Sequence, residues 1–189
     1  KEIPILGVAL GTIMTLVVQS SSATIAVLQN FAAQPGPDGV TSVMGLAGAI
    51  PILLGDNIGT TITAILASIG QSKNAKRTAI AHSIFNITGS VVFLCVLPFF
   101  ARFVQFISPK GNEIDVISRQ IANAHTTFNI VCTLIWLPLI PLMVKIVTTI
   151  IRGTEKQRDD GPVSVLESGV IAQPAAALYL VSEELEHMA

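Results

Sequence analysis

A single acidic residue lies in the middle of a long apolar segment, among small polar side chains. Between Val43 and Ile69 the only ionisable residue is Asp56. A carboxylate at membrane depth costs about 3 kcal/mol even on the most permissive insertion scales. Glycines lie on both sides of it, and four hydroxyl or amide side chains follow: Asn57, Thr60, Thr61 and Thr63. This composition is typical of an interrupted membrane helix whose unwound backbone holds an ion, and the alternative is a buried structural carboxylate.

A second polar cluster interrupts the apolar segment from Ile5 to Ala33. Its centre is Gln19-Ser20-Ser21-Ser22, followed by Thr24. One long tilted helix is compatible with this pattern, and so are two half-helices that meet at the polar tip of a re-entrant hairpin. Successive residues of a helix point about 100° apart, so three adjacent serines cannot share a face. Clustered hydroxyls and freed amide groups fit a helix break that faces an anion.

The composition indicates an integral membrane protein. Of the 189 residues, 51% are hydrophobic and 12% charged, and from Ile3 to Ser72 only Asp38 and Asp56 are ionisable. Uncharged segments of this length exceed the roughly 20 residues that cross a bilayer. A net charge of −1 without a basic run does not indicate a nucleic-acid partner. Cys95 and Cys132 both lie in apolar spans, without disulfide or metal-ligand spacing.

An aqueous loop at Gln34–Gly39 precedes the Val43–Ile69 segment, and two further spans follow that segment. We expect them at Thr78–Phe103 and Ile121–Ile151, with a polar external connection at Ser108–Arg119. Pro138 and Pro141 should kink the last span. By the positive-inside rule, the cytoplasmic segments of this multi-pass inner-membrane protein are those rich in basic residues. These are the Lys73–Arg77 loop and the C-terminal part that contains Arg152, Lys156 and Arg158.

The domain prediction is a transmembrane unit at 1–152, a charged linker at 153–165 and the start of a cytoplasmic helical domain at 166–189. Pro174–Ala189 predicts a soluble amphipathic helix, because its apolar residues recur at helical spacing opposite glutamates. Together with the missing initiator Met, its abrupt end suggests a piece of a longer chain.

The two later spans carry a short internal repeat. Ala81-His82-Ser83-Ile84-Phe85-Asn86 is echoed by Ala124-His125-Thr126-Thr127-Phe128-Asn129. Histidine and asparagine four residues apart share a helix face. The asparagine amides either brace an ion pathway or join neighbouring helices by hydrogen bonds. The histidines have no acidic partner or metal-ligand spacing, so we interpret them as structural.

Taken together, these motifs resemble the bacterial sodium-dependent phosphate cotransporters related to the type II family. In that family, a Gln-Ser-Ser-Ser motif and a Gly-x-Asn-Ile-Gly-Thr-Thr motif occur in each of two inverted repeats. This chain has one of each, so it resembles the C-terminal repeat, from Ile5 to about Ile151. The resemblance implies an all-α membrane protein, one repeat of an inverted-repeat secondary transporter with a re-entrant hairpin and an interrupted helix. The segment from Leu166 resembles the start of the PhoU-like domain that follows in many bacterial members.

The resemblance also implies the site residues. Those expected to bind sodium are Gln19, Ser20, Ser21, Asp56, Thr60 and Thr63. Those expected to bind phosphate are Ser20, Ser21, Ser22, Asn57 and Thr61, with Asn86 and Asn129 in support. Sodium prefers the oxygen ligands of the Asp56 segment, while helix N-termini suit an anion.

The expected function is sodium-coupled uptake of inorganic phosphate by alternating access around a midplane site. The alternatives are an ion channel lined by the same broken helices, or a transporter for another oxyanion. An intramembrane hydrolase with Ser21 as nucleophile and His82 or His125 as base is disfavoured, because no base is placed next to the serines. We therefore expect no enzyme and no cofactor. The expected partners are sodium, inorganic phosphate, membrane lipid and either the missing N-terminal repeat or a second copy of the chain.

Overall fold

The computed structural model describes residues 3–154, which form seven α-helices and no strand. The helices are α1 (Pro4–Val18), α2 (Ser21–Ala32), α3 (Gly45–Ala67), α4 (Lys73–Cys95), α5 (Leu97–Ile107), α6 (Glu113–Trp136) and α7 (Ile140–Ile150). The all-α prediction is confirmed. The predictions for the linker beyond Thr154, its basic residues and the PhoU-like segment concern residues 155–189, which lie outside the described residues.

Two helices are long and apolar enough to cross a membrane alone. They are α3 and α4, and the pair α6–α7 makes a third candidate span that is bent by 85° between Trp136 and Ile140. Pro138 lies in this break and Pro141 in the first turn of α7, so the predicted proline kink is confirmed as a full break. A proline removes one helical hydrogen bond and clashes with the preceding turn, which explains the break.

The first apolar segment is a helical hairpin rather than one long helix. Gln19 ends α1 in the left-handed conformation, with φ of 57°, and its N–H donates to the Thr15 carbonyl at 2.7 Å. Ser20 then caps α2, because its Oγ accepts the N–H of Ala23 at 3.3 Å. The two-helix alternative is therefore confirmed, and its break lies at the polar cluster.

Contacts with α3 set the direction of both hairpin helices. Gly7 lies against Pro51, while Thr15 lies against Asp56 and Gly59, so α1 runs parallel to α3. The end of α2 lies at the start of α3, where the Ser42 hydroxyl donates to the Ala32 carbonyl at 2.6 Å. The chain therefore enters and leaves the hairpin at the same end of α3, as in a re-entrant arrangement.

The break predicted at Gly55–Thr61 is wrong, because α3 is continuous from Gly45 to Ala67. Its glycines serve close packing instead. A Cβ on Gly55 would overlap the Val8 carbonyl of α1, and one on Gly59 would overlap the Thr15 side chain. Small residues at four-residue spacing allow membrane helices to approach this closely. The interruption of a membrane helix occurs between α6 and α7.

Other helix boundaries also differ from the predicted spans. Lys73–Arg77 is the start of α4, where the Ser72 hydroxyl accepts the Ala75 N–H at 3.1 Å, and not a loop. The span expected at Thr78–Phe103 is divided into α4 and α5, with Pro98 in the first turn of α5. The connection expected at Ser108–Arg119 is shorter, since α6 begins at Glu113. Acidic residues in its first turn favour a helix start there.

The connections between the helices lie at two ends of the bundle, which are named here after Asp38 and Lys73. At the Asp38 end (residues 33–44 and 108–112), the Glu113 carboxylate accepts the Ser42 N–H at 3.0 Å. At the Lys73 end (residues 68–72 and 151–152), the Arg77 guanidinium donates to the Ile151 carbonyl at 2.9 and 3.2 Å. These contacts place the α2–α3 and α5–α6 connections together, and the α3–α4 connection beside the end of α7.

The core of the bundle surrounds α3. Leu46, Ile50, Leu53 and Leu54 are almost fully buried, and α1, α2, α4, α5 and α6 all contact this helix. On the α4 side, the ring of Phe93 packs edge-on against Phe100 and tilted against Phe128, with centroids 4.5 and 5.3 Å apart. Because α3 lies at the centre, its polar residues are held inside the bundle.

Candidate functional site

Asp56 is buried in the contact between α1 and α3. It is 1% exposed, and its Oδ1 accepts a hydrogen bond of 2.5 Å from the hydroxyl of Thr15. Its Oδ2 is also buried and has no hydrogen-bond partner among residues 3–154. A buried carboxylate oxygen without a partner is costly, so this atom offers a ligand position to a cation.

The close approach of α1 is what supplies the Thr15 hydroxyl. A Cβ on Gly11 would overlap the Ile52 carbonyl, so only glycine there lets the two backbones approach. One turn away, the Thr12 hydroxyl lies 3.0 Å from the Gly55 carbonyl. Thr12 and Thr15 were not predicted. The signal was available, since Gly7, Gly11 and Thr15 recur every fourth residue of an apolar helix and mark a small-residue face.

The other predicted polar residues of α3 lie on the two turns after Asp56. The hydroxyls of Thr60, Thr61 and Thr63 each donate to a carbonyl three residues earlier, at 2.7–2.8 Å. Their oxygen lone pairs can therefore still accept or coordinate. Asn57 is 5% exposed, and its Nδ2 is buried with no acceptor in the described part of the chain.

The predicted serines lie at the start of α2, at the tip of the hairpin. Ser20 is the N-cap, and Ser21 and Ser22 form the first turn of the helix. The N–H groups of Ser21 and Ser22 have no acceptor among residues 3–154. Gln19, Ser20 and Ser22 are exposed, while Ser21 is half-buried. A helix N-terminus with free N–H groups and hydroxyls is suited to an anion.

The two predicted motifs are neighbours, although no hydrogen bond within the described residues joins them directly. The Thr15 carbonyl accepts the N–H of Gln19, and the Thr15 hydroxyl donates to Asp56. Four residues of α1 thus separate the hairpin tip from the carboxylate, about 6 Å along the helix axis. In the parallel register of α1 and α3, the tip lies near the turn of α3 that contains Thr63.

The two copies of the Ala-His-x-x-Phe-Asn repeat have the same local geometry. The side-chain Nδ2 of Asn86 donates to the His82 carbonyl at 3.1 Å, and that of Asn129 to the His125 carbonyl at 2.9 Å. Asn86 is buried one turn before Ser90, whose hydroxyl donates to the Leu54 carbonyl of α3 at 3.2 Å. Asn86 therefore faces the α3 segment that contains Asn57, whereas Asn129 is half-buried on α6.

The described residues contain no group of three or more His, Cys, Asp or Glu side chains that could hold a metal ion. The polar ligands near Asp56 are hydroxyl and amide groups. Such a set of one carboxylate and neutral oxygens suits a weakly bound hard cation.

Comparison with known proteins gives one family. The family model described as Na+/Pi-cotransporter matches residues 1–133. The uncharacterized protein YqeW of Bacillus subtilis (strain 168) is 36% identical over 100 residues, which are 53% of this chain and 30% of that protein. Sodium-dependent phosphate transport protein 2B of Homo sapiens is 34% identical over 111 residues, 57% of this chain and 15% of that protein.

Sodium-dependent phosphate transport protein 2A of Ovis aries is 38% identical over 87 residues, 44% of this chain and 12% of that protein. No solved structure matches the chain. The chain spans less than a third of the length of these relatives. The family match nevertheless covers well over half of the chain and includes both polar motifs, α1–α5 and most of α6. This membrane protein belongs to the Na+/Pi-cotransporter family.

Proposed function

We propose that the chain takes part in sodium-coupled transport of inorganic phosphate across the membrane. The observation that carries this proposal is the half-satisfied carboxylate of Asp56, buried next to a hairpin whose tip presents a helix N-terminus. A cation site and an anion site within one bundle are what a symporter of sodium and phosphate requires. The relatives named as sodium-dependent phosphate transport proteins support the same pair of substrates.

Sodium is assigned to the oxygens around Asp56. The Oδ2 atom supplies the negative charge, and the lone pairs of the Thr60 and Thr63 hydroxyls supply neutral oxygens on the following turns. The side chains of Gln19, Ser20 and Ser21 complete the proposed set from the hairpin tip. Sodium releases its water easily and accepts such mixed ligands, so a single carboxylate is sufficient for reversible binding.

Phosphate is assigned to the start of α2. The free N–H groups of Ser21 and Ser22 and the positive end of the helix dipole attract an anion. The hydroxyls of Ser20, Ser21 and Ser22 donate further hydrogen bonds. From α3, the Nδ2 of Asn57 is a donor without an acceptor in the described residues, and the Thr61 hydroxyl beside it can donate to phosphate once its hydrogen turns away from the Ile58 carbonyl. Asn86 and Asn129 are the proposed supporting residues, on the helices α4 and α6 that pack against α3.

The charge of Asp56 provides the coupling. Without sodium, a buried negative charge repels phosphate, and Coulomb energies are large in a medium of low dielectric constant. Bound sodium cancels that charge, so phosphate binds more tightly. The two ions then cross together by alternating access around the fixed site.

The complete site is proposed to need a second set of motifs. The hairpin tip is exposed in this bundle, with Gln19, Ser20 and Ser22 all facing outward. Inverted-repeat transporters place their substrate between two such halves near the middle of the bilayer. A second repeat or a second copy of the chain would cover the tip.

The test is phosphate uptake into proteoliposomes that contain the chain, under an inward sodium or potassium gradient. We expect uptake with sodium only, at least tenfold lower in Asp56→Asn, because the amide cannot neutralise sodium. Asp38→Asn is the matched control. Asp38 is the other carboxylate among residues 3–72, and it lies exposed in a loop. Arsenate competition measures the choice of oxyanion. Equal uptake in both gradients, or uptake that Asp56→Asn does not alter, would contradict the proposal.

A further inference from the structure

Thr15 bonds to both halves of the candidate site. Its side chain is 1% exposed, and its hydroxyl lies 2.5 Å from Oδ1 of Asp56. Its carbonyl accepts the N–H of Gln19 at 2.7 Å, the bond that closes α1 before the hairpin tip. Any change in the position of this residue therefore acts on the tip and on the carboxylate together.

The Thr15 side chain is held in place by the helices around it. On one side its hydroxyl lies 2.9 Å from the Gly11 carbonyl in its own helix. On the other side a Cβ on Gly59 would overlap its β-carbon, so the threonine fills the gap above that glycine. A β-branched side chain has few rotamers in a helix, which fixes the hydroxyl further.

The hydroxyl has one hydrogen and two acceptors. It can donate fully to Asp56 or to the Gly11 carbonyl, but not to both. Oδ1 of Asp56 is the nearer acceptor and carries negative charge, so the hydrogen lies on that bond and holds Oδ1 in place. Oδ2 is then the carboxylate oxygen left for the cation.

We propose that Thr15 is the positioning residue that orients the Asp56 carboxylate for sodium and links it to the hairpin tip. This inference rests on the proposed function. It adds a residue of α1 that lies outside both sequence motifs. It also gives the mutual dependence of sodium and phosphate binding a structural route, from Asp56 through Thr15 to the N-terminus of α2.

The experiment measures sodium binding to the purified chain by thermal stability. A ligand that binds only the folded state raises the melting temperature, so a titration of NaCl against KCl gives the half-saturating sodium concentration. We expect Thr15→Val to raise this concentration about tenfold, because the Asp56 carboxylate is no longer held in the orientation that offers Oδ2 to the ion. Thr15→Ser keeps the hydroxyl and should remain within about threefold of the wild type.

Thr12→Val is the matched control. It removes the neighbouring hydroxyl of α1, which contacts the Gly55 backbone and not the carboxylate. The same titration is repeated with inorganic phosphate present. In the wild type, phosphate should lower the half-saturating sodium concentration, and by linkage sodium should strengthen phosphate binding equally. In Thr15→Val this mutual effect should shrink towards none.

The outcomes separate the two proposals. If the wild type shows no difference between sodium and potassium, the sodium site is wrong and the role of Thr15 is overturned with it. If the wild type responds to sodium and Thr15→Val responds identically, the role of Thr15 alone is overturned. If Thr15→Val melts at a lower temperature in KCl but responds to sodium as the wild type does, Thr15 is purely structural and its proposed positioning role is also overturned. Should Thr15→Val not fold, Thr15→Cys, a weak donor, gives the same comparison at smaller amplitude.

Discussion

Asp38 and Asp56 show how the surroundings of a carboxylate distinguish a residue with its hydrogen bonds satisfied from a proposed ion ligand. Asp38 is exposed, and the N–H groups of Thr41 and Val40 donate to it at 2.9 and 3.0 Å. These bonds hold the pKa of the Asp38 carboxyl below its ordinary value of 3.8. Asp56 is buried and keeps one oxygen without a partner in the described residues. The first carboxylate is satisfied by its own loop, and the second still has a ligand position to offer.

Gln19 has an unfavourable backbone conformation and is also one of the proposed sodium ligands. It is the non-glycine residue with positive φ among residues 3–154, at 57°. The left-handed conformation costs roughly 1–2 kcal/mol for a residue with a Cβ. We expect Gln19→Gly to raise the free energy of unfolding by about 1 kcal/mol and to weaken sodium-dependent uptake, because the side-chain oxygen is lost. Thermal unfolding and uptake assays on one preparation measure both.

Gln19→Asn is the control for that variant. Asparagine tolerates the left-handed region and keeps a side-chain carbonyl, though on a shorter stem. Gln19→Asn should be stabilised less than Gln19→Gly, and it should retain more of the sodium-dependent uptake. A glycine variant that transports at the wild-type rate would show that the Gln19 side chain has no role in the site.

At the scale of the elements, the parallel packing of α1 on α3 determines whether Asp56 has its hydrogen bond. Gly55 is, with Gly11, one of the two closest approaches in this contact, since a Cβ there would overlap the Val8 backbone. We expect Gly55→Val to separate the two helices and to destabilise the protein by about 3 kcal/mol or more, because backbone cannot give way as a side chain can. Ala47→Val, on the exposed face of the same helix, should change stability by less than about 0.5 kcal/mol.

Thermal unfolding in detergent checks this pair of variants. Gly55→Val should also lose the sodium response, because Thr15 moves away from Asp56 with α1. A stable Gly55→Val protein that keeps this response would mean that the close approach of the two helices is not needed for the site.

The elements also show what the sequence predicts and what it does not. The hairpin break was predictable, since three serines after Gln19 cannot share a helix face and Ser20 is a good N-cap. The continuity of α3 was not, because a glycine at 55 or 59 is equally compatible with a break and with close packing. Which one occurs depends on α1, a partner that local sequence does not reveal. The spacing of Gly7, Gly11 and Thr15 marks a packing face of α1, but the hydrogen bond from Thr15 to Asp56 is seen only in the structure.

At the largest scale that the structure describes, residues 3–152 form a bundle whose two ends are defined by contacts. Glu113 and Ser42 join the α5–α6 and α2–α3 connections at the Asp38 end. Arg77 joins the start of α4 to Ile151 at the Lys73 end. Lys73, Lys76, Arg77 and Arg152 lie at the Lys73 end, whereas the loops of the Asp38 end carry one basic residue, Lys110, together with the acidic Asp38. From the positive-inside rule we expect the Lys73 end to face the cytoplasm and the Asp38 end to face the opposite side.

Cysteine labelling in cells measures that orientation. Single cysteines at Gly39 and Gly111, in a chain with Cys95→Ala and Cys132→Ala, should react with a membrane-impermeant maleimide added outside. A single cysteine at Gln71 should react only after the membrane is permeabilised. The reason is that α3 and α4 cross the bilayer, while the α1–α2 hairpin returns to the end from which it entered. If Gly39 and Gln71 are labelled from the same side, α3 does not cross the bilayer. The re-entrant arrangement of the α1–α2 hairpin beside α3 would then be wrong as well.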